Sequence, residues 1–310
     1  MSFRLRRHLH TARACVLTLC AATLVAAGAA VAEAPEVTTS LRANPALWTV
    51  HGSKGTVYLL GSIHVLPPET QWRTPKVDAA LNAADVFVFE IPMDELQKTK
   101  IREFIKANGM LPPGVSLSTL LTDEVRKDYA AALKLTHISP DLLSPMRPWL
   151  ALLMLESGIA TQQHLSAENG LDRQVYAFAR DRPRVRFRAL ETPEQQLRLL
   201  MPEDRSLEIQ QFDAGLKEIL NETLSVNDLV NAWARGDVNK INDLMNSGFK
   251  DNPRAEKTLF DDRNRAWTVA LENMLKERHT YFVTVGAGHL AGPRGVPNLL
   301  RRDGYRVDGP

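Results

Sequence analysis

Thr56-Val57-Tyr58-Leu59-Leu60-Gly61-Ser62-Ile63-His64-Val65 is the stretch on which the fold turns. Its β-branched, aromatic and apolar run reads as a buried strand that stops at a glycine. A histidine follows three positions after that glycine. The arrangement returns as Tyr281-Phe282-Val283-Thr284-Val285-Gly286-Ala287-Gly288-His289-Leu290. In an open α/β sheet, reactive groups gather beyond the carboxyl ends of strands. Two strands ending in Gly-x-x-His therefore predict that His64 and His289 meet at one rim.

Other strands flank this pair. Ala46 to Val50 and Thr56 to Leu60 form a hairpin around His51-Gly52-Ser53-Lys54-Gly55, with His51 an exposed turn residue. Asp85-Val86-Phe87-Val88-Phe89-Glu90-Ile91 is apolar until Glu90, which either faces solvent or joins His64 at the rim. Val185 to Leu190 alternates and is followed by Glu191-Thr192-Pro193. There Thr192 caps a helix that Pro193 begins, with Gln195 at capping-box distance. Tyr305 to Val307 reads as a last edge strand.

Between the strands the pattern is helical. Pro75 opens a short helix to about Ala84. Residues 92–165 are mainly helices, with a break at Pro112-Pro113-Gly114, a start at Thr122, and a buried apolar helix over Trp149 to Leu155. His137 and His164 lack partners at metal-ligand spacing and read as structural. In the helix opened by Ala167 to Ala179, Leu171, Val175 and Phe178 form the apolar stripe. Asp172 lies in its first turn, where the dipole alone favours a carboxylate and a functional role is equally open. Residues 203–250 read as a helical cover with breaks near Asn221, Gly236 and Gly248. A helix over 253–277 carries Leu259, Trp267, Leu271 and Met274-Leu275 on one face, and Arg263 falls within that stripe. A buried guanidinium needs an anionic partner unless it snorkels to solvent. His279 sits at that helix's end.

The chain has 310 residues, 44% apolar and 24% charged, enough for a substantial core. Arg4, Arg6, Arg7 and Arg13 precede an uncharged run from Ala14 to Ala32 that ends in Ala30-Val31-Ala32, the three-part form of a secretory leader. An uncleaved anchor is the alternative, and the abundance of weakly inserting alanine and glycine favours cleavage. The expected organisation is a leader over 1–32 and one domain over 33–310, with helical insertions at 92–165 and 203–250. Loss of four arginines takes the formal charge from +2 to −2. No concentrated basic face remains, so nucleic acid is excluded as a partner, and membrane contact is expected only through the export signal. Cys15 and Cys20, the only two cysteines, leave with the leader. The exported chain, expected in the periplasm or outside the cell, then has no disulfide and no cysteine nucleophile.

His64, Glu90 and His289 make a familiar divalent-metal set with an open fourth position, and a pair of satisfied structural histidines is the competing reading. A metal there would lower the pKa of bound water. A further carboxylate, Glu191 or Asp172, would serve as general base, and Arg263 would stabilise the oxyanion.

GSIHV after a strand, the VFVFE strand, NGLDRQV, LETPEQQ, DDRNRAW and VGAGHLAGPRGV together resemble the TraB/PrgY/GumN family from about Trp48 to Val307. That family is related to the Tiki metalloproteases and, more distantly, to erythromycin esterases and ChaN haem-binding proteins. The resemblance implies an α/β fold whose mixed central sheet, flanked by helices, carries both Gly-x-x-His motifs at one edge of a cleft. Its histidines fall on His64 and His289, its glutamate on Glu90, and its arginine on Arg263 beside Asn264. The function so implied is a metal-dependent, peptidase-like hydrolase using Mn, Co or Zn on a peptide or small-molecule substrate. A metal-free histidine hydrolase like the erythromycin esterases is the second reading. A non-catalytic cleft that captures haem or peptide is the third.

Overall fold

The computed structural model describes residues 41–202, 204–221, 226–250 and 252–310, so the expected leader and its expected cleavage point lie outside the described residues. Six strands form one sheet: β1 (Leu47–His51), β2 (Thr56–Ser62), β3 (Val86–Phe89), β4 (Arg186–Ala189), β5 (Thr280–Gly286) and β6 (Arg306–Asp308). Their order is β4-β3-β5-β2-β1-β6. β4, β3, β5 and β2 run parallel, whereas β1 pairs antiparallel with both β2 and β6. The sheet is therefore mixed, and the chain is α/β.

Alternation along the strands gives the sheet two apolar faces. Val57, Leu59, Val86, Val88, Tyr281 and Val283 pack with Trp267, Leu271 and Leu300 on one side. Leu60, Phe87, Phe89 and Phe282 pack on the other, against Leu81, Val175 and Trp233. Each fully buried side chain of this size contributes about 1.5–3 kcal/mol of transfer free energy. A further core lies away from the sheet, where the helix Pro148–Gln162 is wrapped by Asp123–Thr136 and Arg205–Leu220. Among the described residues no helix is long and apolar enough to cross a membrane.

Local signals set the helix starts. Thr74, Thr122 and Thr192 each accept a backbone N–H at a helix N-terminus, and Thr192 with Gln195 completes a reciprocal capping box. His137 and His164 adopt positive φ (55° and 56°) just after helices and serve the backbone there. His51 closes β1, exposed and paired with Asp308.

Four boundaries differ from expectation. The third strand is only Val86–Phe89, because the chain turns at Glu90 to bring that carboxylate inward. The helix Val238–Phe249 runs through Gly248, since its buried face (Ile241, Met245, Phe249) outweighs one glycine's cost. The helix expected over 253–277 is three pieces: Pro253–Glu256, a π-helical turn at Lys257–Asp261, and Asp262–Met274. The cover over 203–250 is also divided. Arg205–Leu220 belongs to the outlying helical core, while Val226–Ala234 and Val238–Phe249 lie on the sheet.

The two Gly-x-x-His motifs leave β2 and β5, which are neighbouring interior strands in parallel register, Ser62 opposite Gly286. The edge they share is the carboxyl-terminal rim of the sheet, not a lateral strand.

Candidate active site

His64 is positioned first by backbone. The amide of Leu171 donates to the Ile63 carbonyl at 3.0 Å, docking the N-terminus of helix Leu171–Arg180 on the turn after β2. Gly170 permits this approach, because a Cβ there would lie 2.4 Å from the His64 carbonyl oxygen. Asp172 is thereby delivered beneath the ring: its Oδ1 accepts from Ser62 Oγ at 2.9 Å and lies 3.0 Å from His64 Nδ1. Burial alone would raise the Asp172 pKa, yet the His64 charge and the two side-chain hydrogen bonds outweigh it and hold the carboxyl below its usual value. A carboxylate at Nδ1 fixes the tautomer that leaves Nε2 as a proton acceptor.

Glu90, buried at the end of β3, is held by three donors. Gly286 N–H reaches Oε1 at 2.7 Å, while Gln196 Nε2 and Arg263 Nη2 reach Oε2 at 2.7 and 2.9 Å. Burial pushes its pKa up, but the Arg263 charge beside it wins and holds the carboxyl at about 2. Glu90 is therefore an anion at any physiological pH.

Arg263 organises the rest. Its Nε donates to Glu191 Oε1 at 2.7 Å and its Nη2 to Glu191 Oε2 at 3.0 Å, a bidentate fork. Nη1 donates to the Leu259 carbonyl at 3.1 Å, within the π-helical turn, and to His289 Nε2 at 3.0 Å. Trp267 lies under the guanidinium at 4.7 Å and donates its own Nε1–H to Glu191. All five N–H groups of Arg263 thus have acceptors. The oxyanion role expected for it reduces to a positive field, because no N–H remains to donate to a substrate.

His289 sits between Phe260 and Trp267, with ring centroids at 4.6 and 4.4 Å. Its Nε2 faces a donor, so Nδ1 carries the proton and donates to Asn264 Oδ1 at 2.6 Å. The Asn264 amide is oriented in turn by Nδ2 donating to the Arg294 carbonyl. Burial first, then the Arg263 charge, pushes the His289 pKa well below its usual value, so the ring is neutral.

The structure thus brings buried Glu90, Asp172, Arg263, Asn264 and His289 together with half-buried His64 and Glu191 in one cluster. They form two networks, Ser62–Asp172–His64 and Gln196–Glu90–Arg263 with its partners, which meet around Gly286. A methyl group on Gly286 would lie 3.2 Å from Glu90 Oε1, 3.5 Å from His289 Cδ2 and 3.8 Å from His64 Nε2. Ser62, Gln196 and Trp267 join the site without standing among the residues the sequence predicts for it. Gln196 adjoins a correctly read capping glutamine and could have been found by asking which helix face meets the sheet.

Two of the three expected metal ligands, His64 Nε2 and Glu90 Oε1, border this space. The third does not: His289 shows it Cδ2, and its Nε2 is taken by Arg263. Among the described residues no three His, Cys, Asp or Glu side chains are arranged to hold a metal ion. With Arg263 in place the donor set does not fit a divalent ion.

The TraB/PrgY/gumN family model matches residues 46–309. The uncharacterized protein YbaP of Shigella flexneri is 26% identical over 84% of this chain and 96% of its own length. YbaP of Escherichia coli (strain K12) shows the same identity and coverage. No solved structure matches.

Proposed function

Because this chain belongs to the TraB/PrgY/gumN family and sets an oriented histidine beside an ionised glutamate, we propose that it is a hydrolase in which His64 activates water directly. The observation that carries this reading is the 3.0 Å contact from Asp172 Oδ1 to His64 Nδ1, with Nε2 turned toward Gly286 and Glu90. His64 Nε2 takes a proton from water, and the resulting hydroxide adds to the carbonyl carbon of a peptide or ester. As the tetrahedral adduct collapses, the departing amine or alkoxide takes that proton back from His64. Proton transfer by a positioned group such as His64 is worth about 10²–10⁴ in rate, and Asp172 stabilises the transient imidazolium. Glu90 orients the water from the opposite side. Glu191, expected as a base, instead holds Arg263 in place.

A divalent-metal form of the chemistry, with Mn, Co or Zn on His64, Glu90 and His289, has a different support. Asp172 and Asn264 leave both Nε2 atoms as lone-pair acceptors, and three carboxylates outnumber the single guanidinium. It requires Arg263 to withdraw. The leader-like pattern of residues 1–32 supports a reaction in the periplasm or outside the cell in either form.

The test is turnover of fluorogenic peptide and ester panels by the purified chain, with and without chelator. Turnover that persists in chelator and vanishes in His64→Ala is the expected result. Chelator-sensitive turnover restored by metal selects the metal form. Saturable binding of peptide or haem without turnover overturns both.

A further inference from the structure

Arg263 holds the lone pairs that a metal would need. Its Nη1 and Nη2 bridge His289 Nε2 and Glu90 Oε2 at 3.0 and 2.9 Å, while its other edge is locked into Glu191. His289 cannot rotate to offer a different nitrogen, because Asn264 binds Nδ1 and is itself fixed by the Arg294 carbonyl. Glu90 cannot neutralise itself by taking a proton, because Gly286 N–H, Gln196 and Arg263 all favour the anion. A divalent ion and this guanidinium therefore compete for the same atoms and the same negative charge.

We infer that Arg263 is the resident cation of this cleft: it keeps divalent ions out, and removing it uncovers a latent metal site on His64, Glu90 and His289. The guanidinium suits the task. Its planar fork satisfies two carboxylates and an imidazole at once, as a lysine ammonium on a flexible stem does not. Trp267 supports its face at 4.7 Å. Without it, Glu90 and Glu191 become buried anions with no cation, and two imidazoles already in the ligating tautomer stand beside them. The inference rests on the metal-free form of the proposed hydrolase. Its test reads ion binding instead of turnover, so an absence of hydrolysis and a failure of ion exclusion are told apart.

Zinc and manganese chlorides are titrated into the full chain and into Arg263→Gln and Arg263→Gln/Glu191→Gln, the second removing the surplus buried carboxylate. Calorimetry and elemental analysis after dialysis give affinity and stoichiometry, and thermal unfolding gives linkage. The wild type is expected to bind neither ion specifically. The variants are expected to bind one ion per chain at least about tenfold more tightly than the wild type, with a raised Tm. Adding His289→Ala should abolish that gain. If a variant unfolds on purification, the ion is expected to restore its fold. The inference is overturned if the wild type binds one ion in a His289-dependent way. It is equally overturned if the variants gain no affinity, or stay unfolded with the ion present.

Discussion

Asp172 and His64 are 108 positions apart in sequence and share one hydrogen bond of 3.0 Å, made across the interface of a helix N-terminus and a strand exit. The same Asp172 oxygen also accepts from Ser62, so the carboxylate is tied to both the strand and its exit loop. Asp172→Asn keeps the shape but replaces an anion with a group that can present N–H to Nδ1. We expect kcat to fall about 10²–10⁴-fold with KM and circular dichroism little changed. A mutant that loses only KM would show that Asp172 serves binding alone.

Gly170 and Gly286 separate geometry from packing. Gly170→Ala sets a methyl 2.4 Å from a backbone oxygen, so helix and loop must part and Asp172 retreats from His64. Gly286 has φ −49°, which alanine accepts, and its added methyl meets nothing nearer than 3.2 Å. Gly286→Ala is expected to fold with near wild-type Tm yet lose turnover, because it fills the space beside His64 Nε2. Gly170→Ala should lower both.

Glu191 is judged by stability. It accepts two bonds from Arg263 and one from the Trp267 indole, all in a buried setting. Glu191→Gln keeps the volume and leaves Arg263 paired to Glu90. Charged hydrogen bonds of this kind are worth about 1.5–3 kcal/mol each, and with partial replacement by the amide we expect about 1–3 kcal/mol of destabilisation by urea titration. A change under a few tenths of a kcal/mol would mean that the fork is not energetically coupled.

The neutral state of His289 sets a pH dependence. Its folded pKa lies well below the usual 6.5, so between those two values the unfolded chain binds a proton that the native chain does not. Stability therefore rises with pH in that window and falls as pH drops below about 6.5. From pH 7.5 to 5.5 one such group contributes a loss of about 1.4 kcal/mol. His289→Gln should flatten this part of the curve in denaturant titrations. Glu90 acts lower still: with its folded pKa near 2, its stabilisation is intact above about 4.5 and lost toward pH 2.

The rim was legible because uninterrupted buried strands leave strong traces in sequence. β2, β3 and β5 each announce where they end, and His64, Glu90 and His289 follow from those ends. Arg263 was legible by necessity, since a charge in an apolar stripe demands a partner. How many of its N–H groups those partners consume depends on distances that no spacing encodes. Gln196 escaped because a helix turns about 100° per residue, so Gln195 caps the helix while the next residue points to Glu90. The π-helical turn at Lys257–Asp261 leaves no pattern in a periodicity that tolerates one extra residue. The division of 203–250 between two cores was hidden because both parts are amphipathic and nothing in either names its neighbour.

β5 lies between β3 and β2, although some 190 residues separate it from β3 in the chain. Until it arrives, Glu90 lacks the Gly286 amide and Arg263 lacks His289, so two halves of the sheet wait apart. Loop-closure entropy opposes so long-range a closure, and we expect it to slow folding. A chain that stops short of β5 thus has two separate strand pairs, β1–β2 and β3–β4, and no assembled site. β5 thus acts as a timing device, arming the cleft only when the chain beyond Gly286 is present.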